Sequence, residues 1–365
     1  MLVRQAGALA VDLDTRGAID CAERALTMAS GLGLPLPPEA LSYRGASLGR
    51  LGDARGIDDL RLAVTEARAQ GLGWTLGYCL QALCVESLFS EDPRAYGTHG
   101  QGYLEYSRRC GADECSLDAQ ILRMDALFWL GEWDLALQVA AEMRPMLAEA
   151  EDLWELVSLS TLQIQMLLAR GQTAEAASIA RWLTEAWSRG QATAQDAPFC
   201  LACGAAAAQQ SGHGDAARGL LRELLGTAGV SGSYTLAQLL LPAMRTALAC
   251  DDPDLAARLC EGFAAISPFH RHALAAASAL LAEAEGDLAA AVEAHRGAAE
   301  GWHDFGAPYE EGHALLGQGR CLVALGRAPE AAAPLAAARE IFARLGAKPA
   351  LTETHDWLAK ATATD

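Results

Sequence analysis

The sequence predicts an all-α protein in which helical hairpins stack into an α-α superhelix, or solenoid. Ala and Leu, both strong helix formers, dominate a composition that is 52% hydrophobic but only 6% aromatic. Runs of β-branched residues bounded by turns, which would favour a sheet, are missing. A turn motif also recurs at steps of 35 to 41 residues, and a period in this range marks stacked helical repeats. Its nine anchors are Gly17, Gly52, Asp92, Gly131, Gly171, Gly212, Asp251, Gly286 and Gly326.

Each anchor is expected in the turn between the two helices of a hairpin, because glycine tolerates positive φ and acidic residues favour a helix N-terminus. The predicted first helices span approximately 2–13, 36–50, 73–90, 115–130, 152–170, 195–211, 233–249, 269–285 and 308–325. The second helices span approximately 17–31, 55–71, 93–110, 133–150, 173–189, 214–227, 253–266, 287–304 and 328–346. Glycine and proline between hairpins let each new helix begin at a new angle.

A capping helix is predicted after the ninth hairpin, over 350–361, with Leu351, Trp357 and Leu358 as its apolar contacts. Open arrays need such a cap because the last unit would otherwise expose its hydrophobic face. We expect residues 1–365 to form one repeat domain, since each unit packs only on its neighbours. The loosest stretch is 188–198, where a bend in the array is predicted.

The net charge of −18, from 46 acidic and 28 basic side chains, repels phosphate backbones, so direct nucleic-acid binding is not expected. Simple solubility and a basic protein partner are the two interpretations left open. The N-terminus does not resemble a signal peptide, and polar residues interrupt every apolar stretch before it reaches bilayer length. The ten cysteines are interpreted as core thiols in a reducing compartment. We therefore expect a cytoplasmic protein without membrane contact.

Motifs that carry chemistry are missing from the sequence. The phosphate-binding loop GxxxxGK[ST], the HExxH pair and the GxSxG turn are not found, so we predict no enzyme activity and no cofactor. Cys200 and Cys203, followed by His213, are spaced like metal ligands but lie inside a predicted helix, which favours core packing. Three histidines of one hairpin are the other metal candidates, although no ligand set accompanies them: His295, His303 and His313.

Two of the hairpins carry the tetratricopeptide pattern, a small residue in the first helix and an Ala twelve positions later, followed by apolar residues. The matching positions are Gly319, Ala331, Leu335 and Ala338 in the ninth unit, and Ala205, Ala217, Leu221 and Leu224 in the sixth. Units four and five keep Ala136 and Ala176, but Met124 and Ile164 replace the small residue. The chain thus resembles the tetratricopeptide-repeat family, with a period longer than its usual 34 residues.

Longer stretches resemble the C-terminal repeat regions of large bacterial regulators. Segments 308–314 and 341–349 look like the closing repeats of proteins in which an ATPase module precedes a tetratricopeptide tail. Segments 43–46, 52–60 and 127–134 resemble the tails associated with adenylate cyclases, and related tails accompany LuxR-type DNA-binding domains. The resemblance implies a sensing or partner-binding tail that acts with an ATPase, cyclase or DNA-binding subunit.

Four residues on first helices are the predicted binding residues: Trp74, Tyr78, Arg123 and Trp154. First helices generally line the concave side of such superhelices, and aromatic residues with Arg are favoured in binding hot spots. The prediction is a non-catalytic interaction or regulatory module in signal transduction that binds a protein partner in the concave groove. Two alternatives stay open: a small-molecule effector-sensing tail, and an enzyme on a helical scaffold.

Overall fold

The computed structural model describes residues 1–11, 14–111, 113–149, 151–193, 195–227 and 234–363. Within these residues the chain forms nineteen α-helices and no strand, so the predicted all-α fold is confirmed. The helices are α1 Leu2–Val11, α2 Thr15–Gly31, α3 Pro38–Arg50, α4 Arg55–Ala69, α5 Gly73–Ser90, α6 Pro93–Cys110, α7 Asp113–Trp129, α8 Trp133–Glu149, α9 Leu153–Ala169, α10 Thr173–Ser188, α11 Cys203–Gln210, α12 Gly214–Gly226, α13 Tyr234–Ala249, α14 Pro253–Cys260, α15 Pro268–Ala284, α16 Leu288–Phe305, α17 Pro308–Ala324, α18 Ala328–Leu345 and α19 Lys348–Thr362.

The helix order gives the nine predicted hairpins, α1–α2 to α17–α18, followed by α19 as the capping helix. Six anchor glycines have φ between 74° and 83°, as a tight turn requires: Gly52, Gly131, Gly171, Gly212, Gly286 and Gly326. The expectation for Gly17 is wrong, because α2 begins at Thr15 and Gly17 lies in its first turn. There the carboxylate of Asp14 caps the helix by accepting a hydrogen bond from Gly17 N, 3.0 Å away.

Two predicted helices are shorter than expected. The helix predicted over 253–266 ends at Cys260, because Gly262 has a positive φ of 73° and the chain leaves the helical path. The helix predicted over 195–211 begins as a π-helical turn over Pro198–Ala202, which leads directly into α11. Residue 233, where the helix predicted over 233–249 begins, lies outside the described residues. The same is true of residues 12–13, where the helix predicted over 2–13 ends.

The chain divides into two compact units. The first unit holds residues 1–126 with 265–269, and the second holds 127–264 with 270–365. A single repeat domain with a bend near 188–198 stays a prediction, and position 194 of that segment lies outside the described residues.

In the first unit, helices α1 to α6 pack around a continuous apolar core that includes Leu41, Leu60 and Leu104. Helices α3 and α4 approach closely because two glycines face each other: a Cβ on Gly45 would lie 2.7 Å from Gly56 O. The segment 265–269 completes this unit, and the ring of Phe269 packs edge-on against Phe89 at a centroid distance of 5.4 Å.

In the second unit, the tetratricopeptide signature positions form the contact between α17 and α18. Ala331, Leu335 and Ala338 are fully buried, and Gly319 leaves room for Leu335, whose Cγ would lie 2.4 Å from an added Cβ. The small residue that defines the signature is therefore required by the side chain across the hairpin.

The second unit also closes on itself, because its early hairpins contact its last ones. Trp133 at the start of α8 packs edge-on against Tyr309 of α17 at 5.0 Å between ring centroids. The turn at Gly131 meets Leu345, and α9 packs against α19. This closure means that the helices of the second unit surround a partly open inner space.

Nine cysteines lie within the described side chains; all are free thiols, and seven are buried. The predicted interpretation of cysteine as a core residue holds for Cys200 and Cys203, both buried where the π-helical turn meets α11. Among the described helices, none is long and apolar enough to cross a membrane.

Replacing Gly319 with Ala should destabilise the protein by about 1–3 kcal/mol, because the new methyl group forces Leu335 out of its packed position. Gly297→Ala is the matched control, since that helical glycine faces open space and Ala is the better helix former by up to about 1 kcal/mol. Thermal unfolding should place G319A below and G297A at or above the wild-type melting temperature. A melting temperature of G319A equal to that of the wild type would contradict the proposed contact.

Candidate functional site

Two adjoining cavities lie inside the second unit, with volumes of about 300 Å³ and about 260 Å³. They share Arg245, Ala249, His313 and Glu353, and together form what we call the chamber. Its lining comes from α9, α11, α13, α15, α17 and α19, with His295 of α16 added. Within this unit the first helices of the hairpins thus line the chamber, as the repeat pattern predicts.

One wall of the chamber is apolar. It is formed by the leucine side chains of α13, α15 and α17: Leu241, Leu248, Leu280 and Leu316. A concave space with an apolar wall and a few convergent polar groups is the usual form of a small-molecule site.

The first polar group of the chamber is an ion pair between Arg245 of α13 and Glu310 of α17. The guanidinium donates to both carboxylate oxygens, with Nη1–Oε2 at 2.6 Å and Nη2–Oε1 at 2.9 Å. Burial alone would lower the pKa of Arg245, but the charge and hydrogen bonds of Glu310 hold it above its ordinary value. Two of the five N–H donors of Arg245 bind Glu310, which leaves three directed elsewhere.

The second group is a network that joins four helices through Arg320 of α17. The guanidinium donates to Glu283 of α15 through Nε, at 2.5 Å, and Nη2, at 2.8 Å, and its Nη1 lies 2.6 Å from Glu353 Oε1 of α19. His295 Nε2 of α16 lies 3.1 Å from Glu283 Oε2. Burial disfavours the charge of Glu283, yet the hydrogen bonds from His295 and Arg320 outweigh it and lower its pKa to about 2. Glu283 therefore stays ionised.

Helix α17 is shaped to admit this network. Gly317 lies against the His295 ring, and a Cβ at that position would come within 2.3 Å of the ring carbon Cε1. The buried imidazole can reach Glu283 only because α17 presents a glycine there.

Glu283, His295 and Cys321 form a group of metal-ligand types, since their ligand atoms all lie within 4.8 Å of one another. The arrangement is instead that of an ion pair, because Arg320 already binds both carboxylate oxygens of Glu283. Burial, followed by the charge of Glu283, raises the pKa of the Cys321 thiol to about 12, so the sulfur stays protonated at neutral pH. A metal would have to displace the guanidinium and a thiol proton together.

His313 is the third polar group of the chamber. Its ring packs edge-on against Tyr309 at 4.6 Å and Phe342 at 5.2 Å. Burial, with Arg245 and Arg320 nearby, lowers its pKa well below the ordinary value, so the imidazole is neutral. Its Nε2 atom is buried and has no hydrogen-bond partner among the described residues. The atom has almost no accessible surface, so it does not itself face the cavity.

His295, His303 and His313, which lie on α16 and α17, do not converge as one site. His295 and His313 both line the chamber, through different partners. His303 is exposed and lies 3.0 Å from Glu311, between its Nδ1 and the carboxylate Oε1. His213, which follows Cys200 and Cys203 in sequence, is exposed at the start of α12, while both thiols are buried.

Trp74 and Tyr78 lie one turn apart on α5 of the first unit. Trp74 is 83% exposed, which is extreme for a tryptophan, and Tyr78 is 37% exposed. The Tyr78 ring lies 5.6 Å from the ring of Tyr43 on α3. The structure thus places these two predicted residues on one exposed aromatic face, which we call the α5 face.

Arg123 lies on α7, away from that pair. Gln81 of α5 donates to Asp118 of α7 at 2.8 Å, which fixes the register of the two helices. Arg123 follows Asp118 by five positions while Trp74 precedes Gln81 by seven, so roughly 18 Å of helix separates them. Trp154 belongs to the second unit, where it is 46% exposed near the start of α9.

The charged chamber residues are not among the residues predicted from sequence, and His295 and His313 are named there only as metal candidates. One signal is present: Arg245 is the one charged residue in α13, between Met244 and Thr246. A charge in the middle of a buried helix needs a partner, and here the partner is Glu310. Arg245 and Glu310 are 65 positions apart, so no local sequence pattern indicates that they pair.

These hairpins, signature contacts and inner lining define a tetratricopeptide-like helical repeat protein. No family model and no curated protein matches the chain. Among solved structures, it is similar to yeast Tom70, with 11% identity and a TM-score of 0.37 over 98% of this chain and 88% of that one. It is also similar to a circular tandem repeat protein with novel repeat topology and enhanced subunit contact surfaces, with 15% identity and a TM-score of 0.17 over 100% and 94%. The fold assignment rests on the helices of this chain itself.

Arg320→Ala should destabilise the second unit by about 3–5 kcal/mol, because it leaves Glu283 buried without its cation. Arg296→Ala is the matched control: Arg296 also binds two glutamates, Glu293 and Glu300, but on an exposed helix surface. That change should cost less than about 1 kcal/mol. Calorimetric unfolding of the two variants beside the wild type measures the difference. Equal losses would mean that the buried network has no special role in stability.

Proposed function

We propose that this chain is a non-catalytic regulatory binding module of the cytoplasm that binds a protein partner through its first helices. The observation that carries the proposal is the α5 face, where Trp74 is 83% exposed on a regular helix. Large aromatic side chains on rigid elements are the typical anchors of protein interfaces. The net charge of −18 favours a partner with a basic surface.

The absence of catalysis is part of the proposal and has a physical basis in the chamber. Its arginines and glutamates are paired with one another, and burial raises the pKa of Cys200 and Cys321 to about 12, so neither thiol is a nucleophile at neutral pH. An ATPase, cyclase or DNA-binding subunit is the class of partner that the regulator resemblance implies.

Trp74→Ala should remove at least about 2 kcal/mol of binding free energy, or about 30-fold in affinity, from a partner held by the α5 face. The melting temperature should stay unchanged because the side chain is exposed. Quantitative pull-down with the immobilised chain measures this, with Met28→Ala as control because Met28 is also 58% exposed but lies on a second helix. Arg123→Glu tests whether the interface extends along α7. Proteins retained equally by wild type, W74A and M28A would rule out the α5 face.

A second candidate function is effector sensing by the chamber of the second unit. The volume of the two cavities, the apolar wall and the three remaining N–H donors of Arg245 favour it. Because the lining comes from six helices of the hairpin array and the cap, a bound molecule would link hairpins that are distant in sequence. An effector could thereby set the stability and pitch of the whole second unit.

An effector of the chamber should raise the melting temperature of the purified chain, since a ligand that binds only the folded state stabilises it by about 2.7 kcal/mol at a concentration 100 times its Kd. A thermal-shift screen of metabolites checks this. Each hit is repeated on Ala249→Trp, which places an indole at an exposed position that lines both cavities. Shifts of the same size in wild type and A249W would place the binding site outside the chamber.

A further inference from the structure

We infer that the chamber of the second unit is a site for a small zwitterion of the apolar α-amino acid class, with its carboxylate on Arg245, its ammonium group on Glu353 and its side chain on the leucine wall. This inference rests on the proposed effector function and names the chemistry of the effector. It comes from the groups that the two cavities share.

The shared groups are one cation, one anion and one neutral hydrogen-bonding ring. Arg245, Glu353 and His313 each line both cavities, so all three border the space where the cavities meet. Each charged group already has one partner, Glu310 for Arg245 and Arg320 for Glu353, and a zwitterion places a second opposite charge beside each of them. A zwitterion satisfies both charged groups at once and adds no net charge to the chamber.

Hydrogen-bonding capacity remains on both charged groups. Arg245 uses two of its five N–H donors on Glu310, and the remaining donors suit a carboxylate with two acceptor oxygens. Glu353 accepts from Arg320 through Oε1, while its Oε2 has no partner among the described residues. That free carboxylate oxygen suits an ammonium group.

The apolar wall selects the rest of the ligand. Leu241, Leu248, Leu280 and Leu316 line the larger cavity, of about 300 Å³, beside these polar groups. A branched aliphatic side chain packed there gains about 0.8 kcal/mol for each buried methylene group. A sugar or polyol would place hydroxyl groups against these leucines without partners, which disfavours it.

The test compares L-leucine with two analogues that each lack one charge, 4-methylpentanoate and 3-methylbutylamine, by calorimetric titration of the full chain. L-leucine should bind, and each analogue should bind at least about 30-fold more weakly, because it makes only one of the two charge-assisted contacts with the chamber. L-valine and L-methionine extend the aliphatic series. If none of the three amino acids binds with a Kd below about 1 mM, the inference fails.

Variants locate the binding groups. Glu353→Gln should weaken L-leucine at least about 30-fold and leave 4-methylpentanoate unchanged or tighter. Glu330→Gln is the matched control, since Glu330 also pairs with one arginine, Arg327, but outside the chamber. If E353Q unfolds, Ala249→Trp serves in its place, because it obstructs the exposed side of both cavities without removing an ion-pair residue, and it should weaken L-leucine binding.

The results of these experiments distinguish failure of the amino-acid assignment from failure of the proposed effector function. If 4-methylpentanoate binds as tightly as L-leucine, the chamber is an anion site, and the inference that it binds a zwitterion is wrong. A metabolite of another class that binds wild type but not A249W would also overturn the zwitterion while leaving the effector function in place. Failure of every metabolite in the thermal-shift screen would instead remove the effector function itself.

Discussion

The closure of the second unit depends on glycine at one hairpin turn. Gly131 has a positive φ of 79°, which the turn requires. It also leaves room for the last part of the chain, because a Cβ on Gly131 would lie 2.7 Å from Leu345 Cδ2. The same missing side chain therefore serves the local turn and the long-range contact, and it allows Trp133 to reach Tyr309. At the next turn, a Cβ on Gly171 would make an ordinary van der Waals contact with Pro349 of α19.

Closure explains why the chamber carries charged groups in a core made mostly of Ala and Leu. Once the hairpins surround a space, residues of different helices around it can pair, as Arg245 does with Glu310 and Arg320 with Glu283. Such pairs add little stability compared with apolar contacts, but breaking one leaves a buried carboxylate without its cation. They therefore fix which helices face each other across the chamber. The polar network makes the arrangement specific, while apolar contacts such as Gly319 with Leu335 hold each hairpin together.

The sequence predicts the repeat architecture well because that architecture is local. Helix bounds such as 73–90 and 93–110 follow from glycine, proline and apolar periodicity within one hairpin. The exceptions are also local: Asp14 starts α2 early, and Gly262 ends α14 early. Neither closure nor chamber can be predicted in this way, since they depend on small rotations between successive hairpins that accumulate along the array. Of the predicted binding residues, Trp74 and Tyr78 share a face, while Arg123 lies roughly 18 Å of helix away by the register of α5 and α7.

The closed second unit also constrains how this protein can change in evolution. An open solenoid tolerates the gain or loss of a hairpin, because each repeat contacts only its neighbours and the ends stay free. Here the last hairpin must arrive at the turn of the first, so that Leu345 meets Gly131 and Pro349 meets Gly171. Deleting one hairpin would bring the ends together too early, and duplicating one would carry them past each other. The number of repeats in the second unit is thus set by geometry, as the number of strands is in a closed barrel.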